Sequence, residues 1–136
     1  MKKEKYQPVP VEFKGDTTNY MVYPNGDVLN TNTGRLLKTY IDNAGYKVNT
    51  FSVNNKLFKI RTHVLVAHSF LGPRPKNTIV NHKDCNKLND HVDNLEYISK
   101  SQNTKHYYEN KKQCDFYNRE NYLPDVRVIK ESYEIL

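Results

Sequence analysis

Hydrophobic and polar positions alternate in short runs through the first half of the chain, and turn residues separate the runs. Tyr20–Tyr23 is followed by Pro24-Asn25-Gly26-Asp27, a tight-turn sequence. Val28–Asn30 leads into Asn32-Thr33-Gly34, and a third run, Arg35–Tyr40, closes at Asp42-Asn43-Ala44-Gly45. Tyr46–Val53 and Lys56–Ile60 flank Asn54-Asn55, the pattern of a two-residue hairpin. These runs predict a small antiparallel meander. Residues 1–16 carry Pro8 and Pro10 without periodicity and read as an arm.

The period changes at Thr62. THVLVAHSFL has apolar residues at 64, 65, 67, 70 and 71, which is helical spacing. Thr62 is the candidate N-cap of a helix over Thr62–Leu71, and Gly72-Pro73-Arg74-Pro75 ends it. Thr78–Asp84 reads as a short strand, an Asn- and Asp-rich loop follows, and Asn94–Ser99 reads as a returning strand. Ser99 is placed to cap a helix over roughly 100–111. The segment is thus a ββα unit. The chain divides into an arm at 1–18, a β-rich module with one helix at 19–76, the ββα unit at 77–112 and a tail at 113–136. The fold class is α+β. The tail holds Asp125–Ile129, a strand-like run with no predicted partner.

Composition adds a partner class. The 136 residues suit one small domain and carry a formal net charge of +6. From Lys56 to Lys112 there are eleven Lys and Arg against five Asp and Glu; from Gln113 to Leu136, three against five. A basic middle segment suits a polyanion, because phosphate contacts release counterions. Seventeen Asn and eleven Tyr suit phosphate and sugar contacts, although Asn also fills turns. No stretch approaches the ~18 apolar residues of a membrane span, which excludes a membrane protein. No apolar run follows the basic start, so the expected compartment is the cytoplasm, a host's if the chain is phage-encoded. Cys85 and Cys114 lie 29 residues apart with no CxxC, so neither a disulfide framework nor a four-cysteine zinc site is expected, and Cys85 reads as a loop residue.

The segment Val80–His106, VNHKDCNKLNDHVDNLEYISKSQNTKH, resembles the HNH nucleases, in the branch of the phage and intron homing endonucleases. His82, Asn94 and Asn103 stand at the motif's three places, with spacings of twelve and nine. V-N-H-x-D before the loop, N-L-E-Y-I after it and Q-N on the helix match as well. Upstream, YPNGDVLNTNTGRLLK, GYKVNTF and THVLVAHSFLG resemble the β-rich module that often precedes this motif. The resemblance covers roughly 19–108. It does not reach the tail, where many relatives carry a helix-turn-helix module.

The resemblance implies a ββα-metal core and a DNA endonuclease dependent on one Mg²⁺ or Mn²⁺, with no structural zinc. His82 is then the general base that takes a proton from water, a task that suits a group titrating near neutrality. Asn81 and Asn103 are the metal ligands. The first place usually holds Asp or His, and two neutral amides hold Mg²⁺ weakly without the DNA phosphate. Asn94 holds the His82 backbone or ring in position. Products carry 5′-phosphate and 3′-hydroxyl ends. Beside these, Asp84 shares the face of His82 by strand alternation and is a candidate to orient the imidazole or add charge near the metal. His106, three residues after Asn103, is a candidate for phosphate or metal. His63 and His68 read as structural or surface residues, and His91 as an exposed loop residue. Arg61, Arg74, Lys76, Lys83, Lys87, Lys100 and Lys105 are candidate phosphate contacts on double-stranded DNA, with Tyr107 and Tyr108 as stacking or packing residues. A single site nicks; cutting both strands needs a homodimer or a second encounter, and a phage protein partner stays open. The rival readings are a DNA-binding protein that keeps the fold without cleavage, favoured by Asn81, and a basic RNA-associated protein.

Overall fold

Ten buried side chains form one core: Val11, Tyr20, Val22, Val28, Phe51, Leu65, Val66, Ala67, Val92 and Leu95. The computed structural model describes residues 5–118. Strands β1 (Val9–Phe13), β2 (Asp16–Val22), β3 (Val28–Asn30) and β4 (Arg35–Leu36) form an antiparallel sheet in that order. Strands β5 (Tyr40–Ile41), β6 (Lys47–Val53) and β7 (Lys56–Arg61) form a second antiparallel sheet. Helix α1 (Thr62–Leu71) packs on both through Leu65, Val66 and Ala67. Tyr20 and Phe51 join the sheets edge to face at 5.0 Å, and Tyr20 Oη accepts from Ser52 N at 3.0 Å.

Three local expectations are corrected. Val9–Phe13, read as part of an arm, is an edge strand paired with β2, with a register shift between Pro10 and Glu12. An edge tolerates proline, because the missing N–H faces away from the ladder. The run Arg35–Tyr40 divides between the two sheets. Thr62 is not the N-cap of α1: Arg61 holds that position, while the buried Thr62 hydroxyl accepts from Asn49 Nδ2 at 2.8 Å. A partner remote in sequence has taken the oxygen that a cap would use.

The turn after β2 matters for the site. Gly26 has φ +98°, and a Cβ there would lie 2.8 Å from Thr62 Cγ2 and 3.4 Å from Asp90 Cβ. Val92 N donates to Pro24 O at 2.9 Å, so this turn and the Asp90 loop touch directly. Gly26→Ala combines left-handed strain with that clash and is expected to cost about 1–3 kcal/mol. Urea unfolding tests it; a loss under about 0.5 kcal/mol, the range of an inconsequential surface change, would contradict the close packing.

Strands β8 (Thr78–His82) and β9 (Leu95–Ser99) pair antiparallel, from Thr78↔Ser99 to His82↔Leu95. β8 stops two residues earlier than its pattern predicts, because Cys85 N turns back to His82 O at 2.9 Å. A single 3-10 turn, Val92–Asn94, precedes β9. Ser99 caps α2 (Lys100–Glu109) in a reciprocal box with Gln102. Asn110 ends α2 close to the predicted end, and a further helix, α3 (Lys111–Asn118), occupies the start of the segment read as a tail. This break carries Cys114 back to the turn after β8, where it is joined to Cys85 by a disulfide. The expectation of unpaired cysteines is therefore corrected: spacing along the chain carried no sign of the reversal at Asn110. The run 125–129 lies outside the described residues. Among the described residues, no helix is long and apolar enough to cross a membrane.

Candidate active site

His82 is the last residue of β8 and is buried, with 6% of its surface exposed. Its Nε2 lies 2.8 Å from Asp90 Oδ1, and Asp90 is 2% exposed. A carboxylate at one ring nitrogen fixes the ring and draws the proton of the neutral imidazole to that side. With Nε2 so assigned, Nδ1 is the nitrogen left with a basic lone pair.

Asp90, not Asp84, therefore meets the imidazole. The chain leaves extended geometry after His82, so strand alternation no longer governs residue 84. The Asp84 carboxylate accepts from Asn86 N at 2.8 Å, Asn89 Nδ2 at 2.9 Å and Asn94 Nδ2 at 2.9 Å. It organises the loop from inside. Asn94 closes that loop. Its Nδ2 also donates to Asn89 O at 2.9 Å, its Oδ1 accepts from Asp84 N at 3.1 Å, and its carbonyl accepts from Lys83 N at 2.7 Å. Asn94 thus grips the backbone just beyond His82 rather than the ring.

Asn81, His82, Asn103, His106, Tyr46 and Lys87 line one cavity of about 400 Å³. Asn81 Nδ2 donates to Glu96 Oε2 across the β8–β9 ladder at 2.9 Å, which turns the opposite corner of the amide, its oxygen, away from Glu96. Asn103 enters from α2 and is half-buried. Two amides and no carboxylate line this cavity among the described residues, a donor set for a hard oxygen-seeking cation that keeps most of its water. His106 Nε2 lies 2.8 Å from Lys83 O and pins α2 to the end of β8.

Two neighbours of His82 carried no motif signal. His63, on the first turn of α1, has its ring 5.0 Å from that of His82, and Tyr46 covers both rings at 4.7 and 6.0 Å. Burial, and next the nearby His82, push the His63 imidazole down to about 4, so it is neutral at neutral pH. Among the described residues, His63 Nδ1 and Asp90 Oδ2 are buried without a hydrogen-bond partner. No spacing rule connects residues 63, 82 and 90; only packing brings them together.

The candidate phosphate contacts scatter. Arg61 and Lys87 each lie against the Tyr46 ring, at 4.5 and 5.2 Å from its centroid. Each also holds the turn before β6: Arg61 Nε donates to Asp42 at 2.8 Å, and Lys87 Nζ to Ala44 O at 3.0 Å. Lys76, Lys83 and Lys100 are exposed. Arg74 bonds Thr78 O, and Lys105 lies 3.8 Å from Glu109. Tyr107 Oη donates to Asp115 at 2.7 Å, joining α2 to α3, while Tyr108 is exposed. His68 is exposed; His91 is half-buried, and its Nδ1 accepts from Asp93 N.

Comparison with known proteins covers the segment that carries this site. The HNH endonuclease family matches residues 61–105. An uncharacterized HNH endonuclease of Acanthamoeba polyphaga mimivirus is 34% identical over 105 residues, covering 77% of this chain and 31% of the relative. The H-N-H endonuclease F-TflII of Escherichia phage T5 is 34% identical over 102 residues, covering 74% of this chain and 50% of the relative. The chain thus spans half or less of the length of these two relatives. The solved structure of the HNH homing endonuclease I-HmuI, described for its DNA binding and cleavage, superposes with a TM-score of 0.69 at 26% identity, over 78% of this chain and 60% of that one. Two of the three motif positions, His82 and Asn103, line one cavity and Asn94 closes the loop beside it; the segment that carries them, residues 61–105, matches the HNH endonuclease family, in a fold similar to that of the HNH homing endonuclease I-HmuI.

Proposed function

We propose that this chain is a DNA endonuclease in which His82 is the general base. The observation that carries the reading is the buried His82–Asp90 contact at a cavity that Asn81 and Asn103 share. His82 Nδ1 takes a proton from a water molecule, and Asp90 faces the positive charge that the ring acquires. The water oxygen bonds to phosphorus as the bond to the 3′ oxygen breaks. The products carry a 5′-phosphate and a 3′-hydroxyl, the latter protonated by solvent. Asn81 and Asn103 would hold one divalent ion of the Mg²⁺ or Mn²⁺ type, which supplies charge stabilisation to the phosphate and the leaving oxygen when bound. Glu96, bonded to the Asn81 amide, polarises it and partly offsets its neutrality. Arg61 and Lys87, beside the cavity, suit the flanking phosphates of double-stranded DNA.

Cleavage of supercoiled plasmid with Mg²⁺ or Mn²⁺, against an EDTA control, tests this. Open-circle or linear product that EDTA abolishes is the expected result. The neutral Asn81 favours a second reading, a DNA binder without cleavage; tight duplex binding with no product under either metal would favour it.

The dyad has its own test. Asp90→Asn keeps the shape but lets the side chain donate to Nε2, which favours the tautomer with its proton on Nδ1. The expected loss is about 10–100-fold in single-turnover rate, with duplex affinity unchanged. An unchanged rate would remove Asp90 from the mechanism.

A further inference from the structure

One ring nitrogen each from His63 and His82 and a carboxylate oxygen of Asp90 lie within 4.8 Å of one another, and all three residues are buried. Two of these side chains carry orphaned atoms, His63 Nδ1 and Asp90 Oδ2, in residues 7% and 2% exposed. Buried polar atoms without partners are rare, because each costs the desolvation of a group that gains nothing in return. The set is wrong for Mg²⁺, which takes oxygen ligands and retains water. Two imidazoles and one carboxylate are instead a ligand set for zinc and its borderline neighbours. Ligand atoms of a tetrahedral zinc stand roughly 3.3 Å apart, so small rotamer shifts suffice. His82 lines the open cavity of about 400 Å³, the side from which an ion would approach.

We propose that His63, His82 and Asp90 form a second metal site, selective for Zn²⁺-class ions, whose occupation takes the general base out of service. The ion would engage His82 and Asp90, the two partners that the reaction needs, while Mg²⁺ acts at the separate amide pair. Only the inhibitory consequence rests on the nuclease reading; the binding does not. Reduction of the Cys85–Cys114 disulfide would free a competing zinc set at Cys85, His106 and Cys114, so the test must separate the two.

Equilibrium dialysis of the full chain against Zn²⁺, without DNA, reads the site directly. The wild type is expected to take up one Zn²⁺. His63→Phe and the milder His63→Asn are expected to weaken uptake by about tenfold or more, and the double variant Cys85→Ser, Cys114→Ser to retain it. In the Mg²⁺ plasmid assay, Zn²⁺ should slow the wild type by about tenfold or more and leave either His63 variant unaffected. The proposal is overturned if the folded wild type binds no Zn²⁺, in which case a buried water satisfies the orphaned atoms. It is equally overturned if both His63 variants bind as the wild type does, or if uptake disappears with the cysteines. Should the wild type cleave nothing in Mg²⁺, the nuclease reading fails while the dialysis still decides the site.

Discussion

His82→Ala is expected to lower plasmid cleavage about 10²–10⁴-fold while duplex binding persists. The magnitude is what a positioned proton acceptor contributes to a hydrolysis whose nucleophile, water, is a poor one at neutral pH. Truncation has a second effect. It leaves both Asp90 oxygens without a partner in a buried position, and an unsatisfied buried group costs about 1–3 kcal/mol, more when charged. The two effects separate in His82→Asn, whose amide can still donate toward Asp90 but is no base at neutral pH. An Asn variant that melts near the wild type and does not cleave assigns the loss to chemistry. A His82→Ala variant that keeps more than about a tenth of the single-turnover rate, far outside the range for a lost general base, would transfer that role to another group.

Asn94→Ala is expected to cost about 2–4 kcal/mol in urea unfolding and about 10²-fold in rate. Three side-chain hydrogen bonds disappear together, two of them to Asp84, whose carboxylate then keeps only Asn86 N and Asn89 Nδ2. The hydrogen bonds of Asn94 go to Asp84, Asn89, Lys83 and His91, so its effect on rate is transmitted by geometry: the loop it closes carries Asp90. That origin predicts rate and stability falling together, unlike His82→Asn, where the rate alone collapses. A stability loss under about 1 kcal/mol, within the range of one ordinary hydrogen bond, would mean that the remaining bonds hold the loop by themselves.

His82 and Asp90 also explain why the strand-face argument chose the wrong carboxylate. Period-two alternation holds only while the backbone stays extended, and the chain turns directly after His82. Eight residues separate His82 from Asp90. The loop reverses direction between them around the Asp84–Asn94 contacts, so the orienting group arrives from the far side. The same reasoning covers the cysteines. Cys85 lies in that turn and Cys114 on α3, and the break at Asn110 decides whether they meet.

By itself the sequence determined what is local. Pro24-Asn25-Gly26-Asp27 turns the chain, Asn54-Asn55 closes a hairpin, Ser99 and Gln102 start α2, and the His82, Asn94 and Asn103 spacing marks the motif. Each depends on interactions within a few residues, or on a pattern of residue types that the chain displays openly. The tertiary structure alone decided what depends on distant partners: β1 as an edge strand despite Pro10, Thr62 bound to Asn49 instead of capping, and His63 and Asp90 beside His82. Residues 63, 82 and 90 come from a helix, a strand end and a loop, and nothing in their spacing ties them together. They meet because α1 and the ββα unit share one core through Leu65, Val66, Val92 and Leu95, and burying that apolar surface brings the polar groups behind it into contact.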